Sequence, residues 1–154
     1  MNLRSPDRIV DNVELAEKLC GDSIELHAAR ARHLELHGNL IPHAFMGEVL
    51  ARAAACILPG ANAPGRRAEL VRILATLEYA MGGGDRETCS VICLSFVWDA
   101  EGAPYFAALR PMLGPLLGAR VRPQPDAQVN LPRSGPPRRR SPALPRAALE
   151  PAEG

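Results

Sequence analysis

Apolar residues recur at helical spacing through most of this chain. Ile9, Val13, Ala16 and Cys20 predict a first helix over about 7–19, with Pro6 at its start and Gly21 as its stop. Asp22-Ser23 announces a second helix running to His37, where Gly38-Asn39 ends it. Its stripe of Ile24, Ala28, Ala31 and Leu34 or Leu36 is thin, so this helix is expected to be partly exposed. Pro42 opens a third helix ending near Leu58, with a wide face of Phe45, Met46, Val49, Leu50, Ala53, Cys56 and Ile57. Pro59-Gly60 and Pro64-Gly65 punctuate the loop that follows.

The fourth helix, about 66–81, has the cleanest pattern: Leu70, Ile73, Leu74, Leu77, Ala80 and Met81. Gly82-Gly83-Gly84 stops it, and the expected reason is a glycine at positive φ. Asp85 caps a fifth helix, about 86–99, apolar nearly all round through Cys89, Ile92, Cys93, Phe96 and Val97. Ser90–Trp98 is β-rich in composition, yet the Asp85 cap and the glycines before it favour helix. The fourth and fifth helices form a hairpin. Residues 104–117 give a poorer helix that Pro111 and Pro115 break in two. The expected fold is all-α: a compact bundle of five to six helices with helical hairpins over 1–118. A Pro/Arg-rich tail, expected to be disordered, fills 119–154, where eight of 36 residues are proline.

Composition supports helix and refines the charge. Apolar residues make up 47% of the chain but aromatics only 4%, so Leu, Ala, Val and Ile must fill the core. The net charge of +1 hides an asymmetry: residues 1–118 hold 11 basic and 14 acidic residues, the tail seven Arg and three acids. An acidic body of −3 therefore precedes a basic tail of +4. Cys20, Cys56, Cys89 and Cys93 each lie in an apolar stretch, and neither a signal peptide nor a membrane span is evident. Reduced thiols in a cytoplasmic protein are the expectation. Arg outnumbers Lys by 17 to one, which points to a GC-rich bacterial genome.

No catalytic, cofactor-binding or metal constellation is complete. His33 and His37 stand four apart on one helical face and His43 follows a loop, with Glu25 and Glu35 near in sequence. Zinc needs three or four convergent ligands, and no His-Glu-x-x-His motif supplies them. Exposed or helix-capping histidines are the simpler reading, and a metal-assisted enzyme on His33, His37 and His43 is the alternative. Cys89 and Cys93 are four apart on an expected buried face, so core packing outweighs a reactive thiol. Gly82-Gly83-Gly84-Asp85 lacks the strand and the Gly-Lys-Ser/Thr of a phosphate loop. Arg138-Arg139-Arg140 has no aromatic neighbour to stack on bases, so nucleic acid is not the expected partner. Glu78, Glu87, Asp99 and Glu101 put carboxylates near the hairpin ends, where solvated positions are commonest.

The stretch Leu40-Ile41-Pro42-His43-Ala44-Phe45-Met46-Gly47-Glu48-Val49 resembles a motif of small uncharacterised bacterial all-helical proteins carrying Pro-His-x-Phe-x-Gly-Asp/Glu. Leu77-Glu78 through Gly84-Asp85 and Ser95-Phe96-Val97 resemble the Leu-Glu … Gly-Asp … Ser-Phe hairpin of the same family, and the likeness spans about 24–117. Where such proteins place an acid after the Ser-Phe-hydrophobic triplet, this chain has Trp98, with Asp99 one place later. The resemblance implies no activity; by analogy it is similar to the immunity proteins that neutralise bacterial toxins. Its polar members His43, Glu48, Asp85 and Ser95, with Asp99, are the candidate interaction patch. The expected function is a protein-binding module, immunity-like or regulatory, whose acidic body suits a basic partner. A small helical-repeat scaffold is a further alternative, although no second copy recurs at a fixed period.

Overall fold

A computed structural model describes residues 9, 11–58, 60 and 62–123 of the chain, and among them there is no β-strand. The tail expected over 119–154 lies outside the described residues from position 124 onward, as do Pro6 and Pro59. Helix α1 covers Asn12–Asp22 and begins later than its periodicity predicts, because Asp11 caps it by accepting from the Glu14 N–H at 2.9 Å. Its buried face is Leu15, Ala16 and Leu19; of the expected stripe Ile9 and Ala16 are buried, while Val13 is exposed and Cys20 half-buried. Gly21 is inside the helix rather than its stop.

Helix α2, Ile24–His37, starts at Ser23, whose Oγ accepts from the Leu26 N–H, and ends at Gly38 with φ +74°. It buries Leu26, Ala29 and His33, so the stripe expected to face the core faces outward and Ile24 is 87% exposed. Helix α3, Pro42–Ile57, buries Phe45, Met46, Val49, Leu50, Ala53 and Cys56, as its pattern predicts. Helix α4, Ala63–Gly83, buries Leu70, Ile73, Leu74, Leu77 and Ala80, and also one carboxylate, Glu69. It packs against α1 and α3, and α3 packs in turn against α1 and α2.

The glycine stop after α4 works by close approach rather than by positive φ. Gly84 has φ −71°, and a Cβ there would stand 2.6 Å from the Ala80 carbonyl oxygen. Asp85 then caps α5, Arg86–Ile92, by accepting from the Thr88 N–H at 2.7 Å. The helix continues as a π-helical turn over Cys93–Trp98 and a last α-turn, α6, Asp99–Glu101. In the wider turn three consecutive residues, Ser95, Phe96 and Val97, are all buried. The start of α5 packs on α4, as the hairpin requires, and the π-helical turn packs on α3. Cys89 and Cys93 are half-buried, whereas Thr88 and Val91 take the fully buried positions.

The prolines divide the remaining chain as their chemistry demands. Short α7, Phe106–Leu109, gives way to a 3₁₀ turn, Arg110–Met112, and α8, Pro115–Gly118, packs on α4. The packed unit runs to Arg122. Trp98 Nε1–H donates to the Arg120 carbonyl at 3.0 Å, and Glu101 accepts from the Arg122 N–H at 2.7 Å and its Nε–H at 2.8 Å.

Candidate functional site

Of the five polar residues expected to form a patch, the fold joins two directly. His43, in the first turn of α3, places Nδ1 2.7 Å from Ser95 Oγ on the π-helical turn, across 52 positions of sequence. The contact follows from the packing of α3 on that turn, which buries Ser95 to 9% exposure and leaves His43 exposed. Asp99 is four residues beyond Ser95 on the same helical run, roughly one turn away. It lies near Tyr105, whose hydroxyl pKa is pushed up by burial and further by the Asp99 charge. Leu94, the residue before Ser95 in the chain, is 43% exposed.

The other two candidates lie elsewhere. Glu48 is exposed on α3 five residues after His43, about 140° around the helix from it. Asp85 is ten residues before Ser95, roughly 15 Å back along the helix, and its carboxylate is held low by the Thr88 N–H that it caps. The structure thus brings His43 and Ser95 together, with Asp99 about one helical turn beyond Ser95.

The histidines considered for a metal have structural partners. His33 Nε2 accepts from the Ile41 N–H at 2.9 Å, closing the loop between α2 and α3, and its ring lies 4.7 Å from that of His37, tilted by 52°, and meets Phe45 edge-on at 6.1 Å. Thus His33 and His43 each commit one ring nitrogen inside the fold. Among the described residues no group of three or more His, Cys, Asp or Glu is placed to hold a metal ion. The carboxylates near the helix ends divide as well. Glu78 caps α8 by accepting from the Leu116 and Leu117 N–H groups at 2.6 and 2.9 Å, and Glu101 holds Arg122.

One polar cluster is almost invisible in the sequence. Glu69, 9% exposed, accepts from Arg52 Nε at 2.8 Å, from Arg52 Nη2 at 2.7 Å and from Ser23 Oγ at 2.5 Å. The bidentate Arg52 guanidinium leads in holding the Glu69 carboxyl down at about 2, with Ser23 assisting against the opposing cost of burial. These residues border a cleft of about 450 Å³ together with Cys20, Asp22 and Arg72. Ser23 is not an activated nucleophile here: its proton goes to a carboxylate too acidic to act as a base, and its oxygen already caps α2. The cluster ties the start of α2 to α3 and α4. Its one sequence signal is a glutamate four residues before Ile73, at the edge of the apolar stripe of α4.

No protein-family model, curated protein or solved structure matches the chain. Among the described residues no helix is long and apolar enough to cross a membrane.

Proposed function

We propose that this chain is a helical protein-binding module, immunity-like or regulatory, working in the bacterial cytoplasm on another protein. The observation that carries the reading is the His43–Ser95 hydrogen bond at 2.7 Å. It sets an exposed imidazole on a π-helical turn, an element that recurs at functional sites. Asp99, four residues beyond Ser95, and the net −3 of residues 1–118 favour a partner that presents basic side chains.

The test is photo-crosslinking from an unnatural residue at Leu94 in the native host, with the captured protein re-examined against His43→Ala and Asp99→Lys. A single captured protein whose yield falls with both substitutions supports the proposal. Capture that is the same for the native chain and both variants would sink it.

The same bond favours a second reading, because a hydroxyl within reach of an imidazole is the beginning of a nucleophilic site. It ranks below the first since Ser95 is 9% exposed. Fluorophosphonate labelling at Ser95, absent in Ser95→Ala, would reverse the order.

A further inference from the structure

The outward face of α2 is apolar, narrow and ordered in charge. Ile24, Ala28, Ala31 and Glu35 recur at i, i+4, i+7 and i+11, the spacing of a single helical stripe. The packing of α2 on α1 and α3 buries the opposite side, leaving Ile24 87% exposed, with Ala31 and Glu35 exposed too. Glu25 and Arg32 stand seven apart along one flank of the stripe, both exposed. That separation is about 10 Å along the axis, too far for the two to pair within one helix. Among the described residues neither takes part in a salt bridge, and the cation that feels the Glu25 charge is Arg52, across the cleft that Glu25 borders.

We propose that this face docks against a second copy of the chain, the two α2 helices running antiparallel about a twofold axis. The face is complementary in charge to itself. A twofold axis perpendicular to both helices brings the same flank of each together with the order reversed. When Ala28 lies opposite the second copy's Ala31, Glu25 falls within about 3 Å along the axis of the second copy's Arg32 on the shared flank, within reach of that long side chain, and the symmetry makes the ion pair twice. The same register sets each Glu35 beside Ile24 at the N-terminal end of the opposite helix, where the helix dipole favours a carboxylate. A parallel arrangement would set this flank against the opposite one, which carries His27 and Leu34, and would make neither ion pair. The small side chains of Ala28 and Ala31 let the backbones approach closely, and the two Ile24 side chains cover the ends. A helix of 14 residues is roughly 21 Å long, so the contact is of the small, reversible kind and its population rises with protein concentration.

Sedimentation equilibrium of the full chain over a wide concentration range tests this. The expected result is a mass rising from one chain towards two. Glu25→Arg and Arg32→Glu, each alone, should weaken the dimer at least tenfold. The double charge exchange should restore it, since opposite charges would again face each other across the axis. Circular dichroism of each variant checks the fold, and recovery in the double variant separates pairing from damage. A mass of one chain at every concentration overturns the proposal. So does a dimer that survives Ala31→Glu, because that dimer would use another surface.

Discussion

Glu69 on α4 takes both arms of the Arg52 guanidinium, at 2.8 and 2.7 Å, while Ser23 at the head of α2 donates to the same carboxylate. Three elements meet at one buried charge. A carboxyl held at about 2 contributes stability above its ordinary value of 4.5 and loses it as the pH falls towards 2. Denaturation midpoints of the native chain should therefore drop between those limits by an amount worth roughly 2–3 kcal/mol. Glu69→Gln should lower stability at pH 7 by about 1–3 kcal/mol and remove much of that acid slope. An unchanged slope in the variant would show that other carboxyls carry it.

The His33–Ile41 bond yields a test that separates hydrogen bonding from packing. His33→Leu keeps an apolar side chain but leaves the Ile41 N–H without its acceptor, and should cost about 1–3 kcal/mol. His33→Gln carries an acceptor of similar reach and should recover most of the loss. Amide exchange at Ile41 should quicken in the first variant and not in the second. Equal exchange in both would assign His33 a packing role alone.

Two glycines in helical neighbourhoods should respond with opposite sign. Gly38 sits at φ +74°, so Gly38→Ala should destabilise by about 1 kcal/mol. Gly21 is inside α1, and a Cβ added there would meet nothing within 4 Å, so Gly21→Ala should stabilise by about 0.5 kcal/mol. Thermal unfolding of the two variants checks both, and a shared sign would contradict the cap geometry.

The thiols should be slow to react in the folded chain. Burial pushes Cys20, Cys56 and Cys93 above the usual thiol value, with Arg30 opposing at Cys20 and the Glu69 charge adding at Cys56. Iodoacetamide at neutral pH should label Cys56 slowest, since it is 6% exposed, and labelling should accelerate on unfolding. Native labelling of Cys56 at the unfolded rate would contradict the packing of α3 on α4.

Much of the architecture was legible in the chain because its signals are local. Pro42 starts α3, Asp85 caps α5, Gly38 ends α2, and the apolar stripes of α3 and α4 coincide with the faces those helices bury. Each is a matter of backbone propensity or of one face differing strongly from the other. The break of the last segment at Pro111 and Pro115 belongs with them, since a ring on the nitrogen acts wherever it is placed.

What only the tertiary structure decided are choices between faces of similar character and contacts between distant residues. Helix α2 has two thin apolar stripes, Ile24-Ala28-Ala31 and Leu26-Ala29-His33, and periodicity cannot rank them. The Ser23–Glu69 and His33–Ile41 hydrogen bonds select the second, turning the first outward. The candidate patch behaves likewise: His43 and Ser95 meet because α3 packs on the π-helical turn, while Glu48 and Asp85, equally plausible as residues, are carried away by helix phase and length. Local sequence sets which segments become helices; how they are turned is decided by packing into the shared core and by partners such as Ser23–Glu69 and His43–Ser95, 46 and 52 positions apart, which no local window contains.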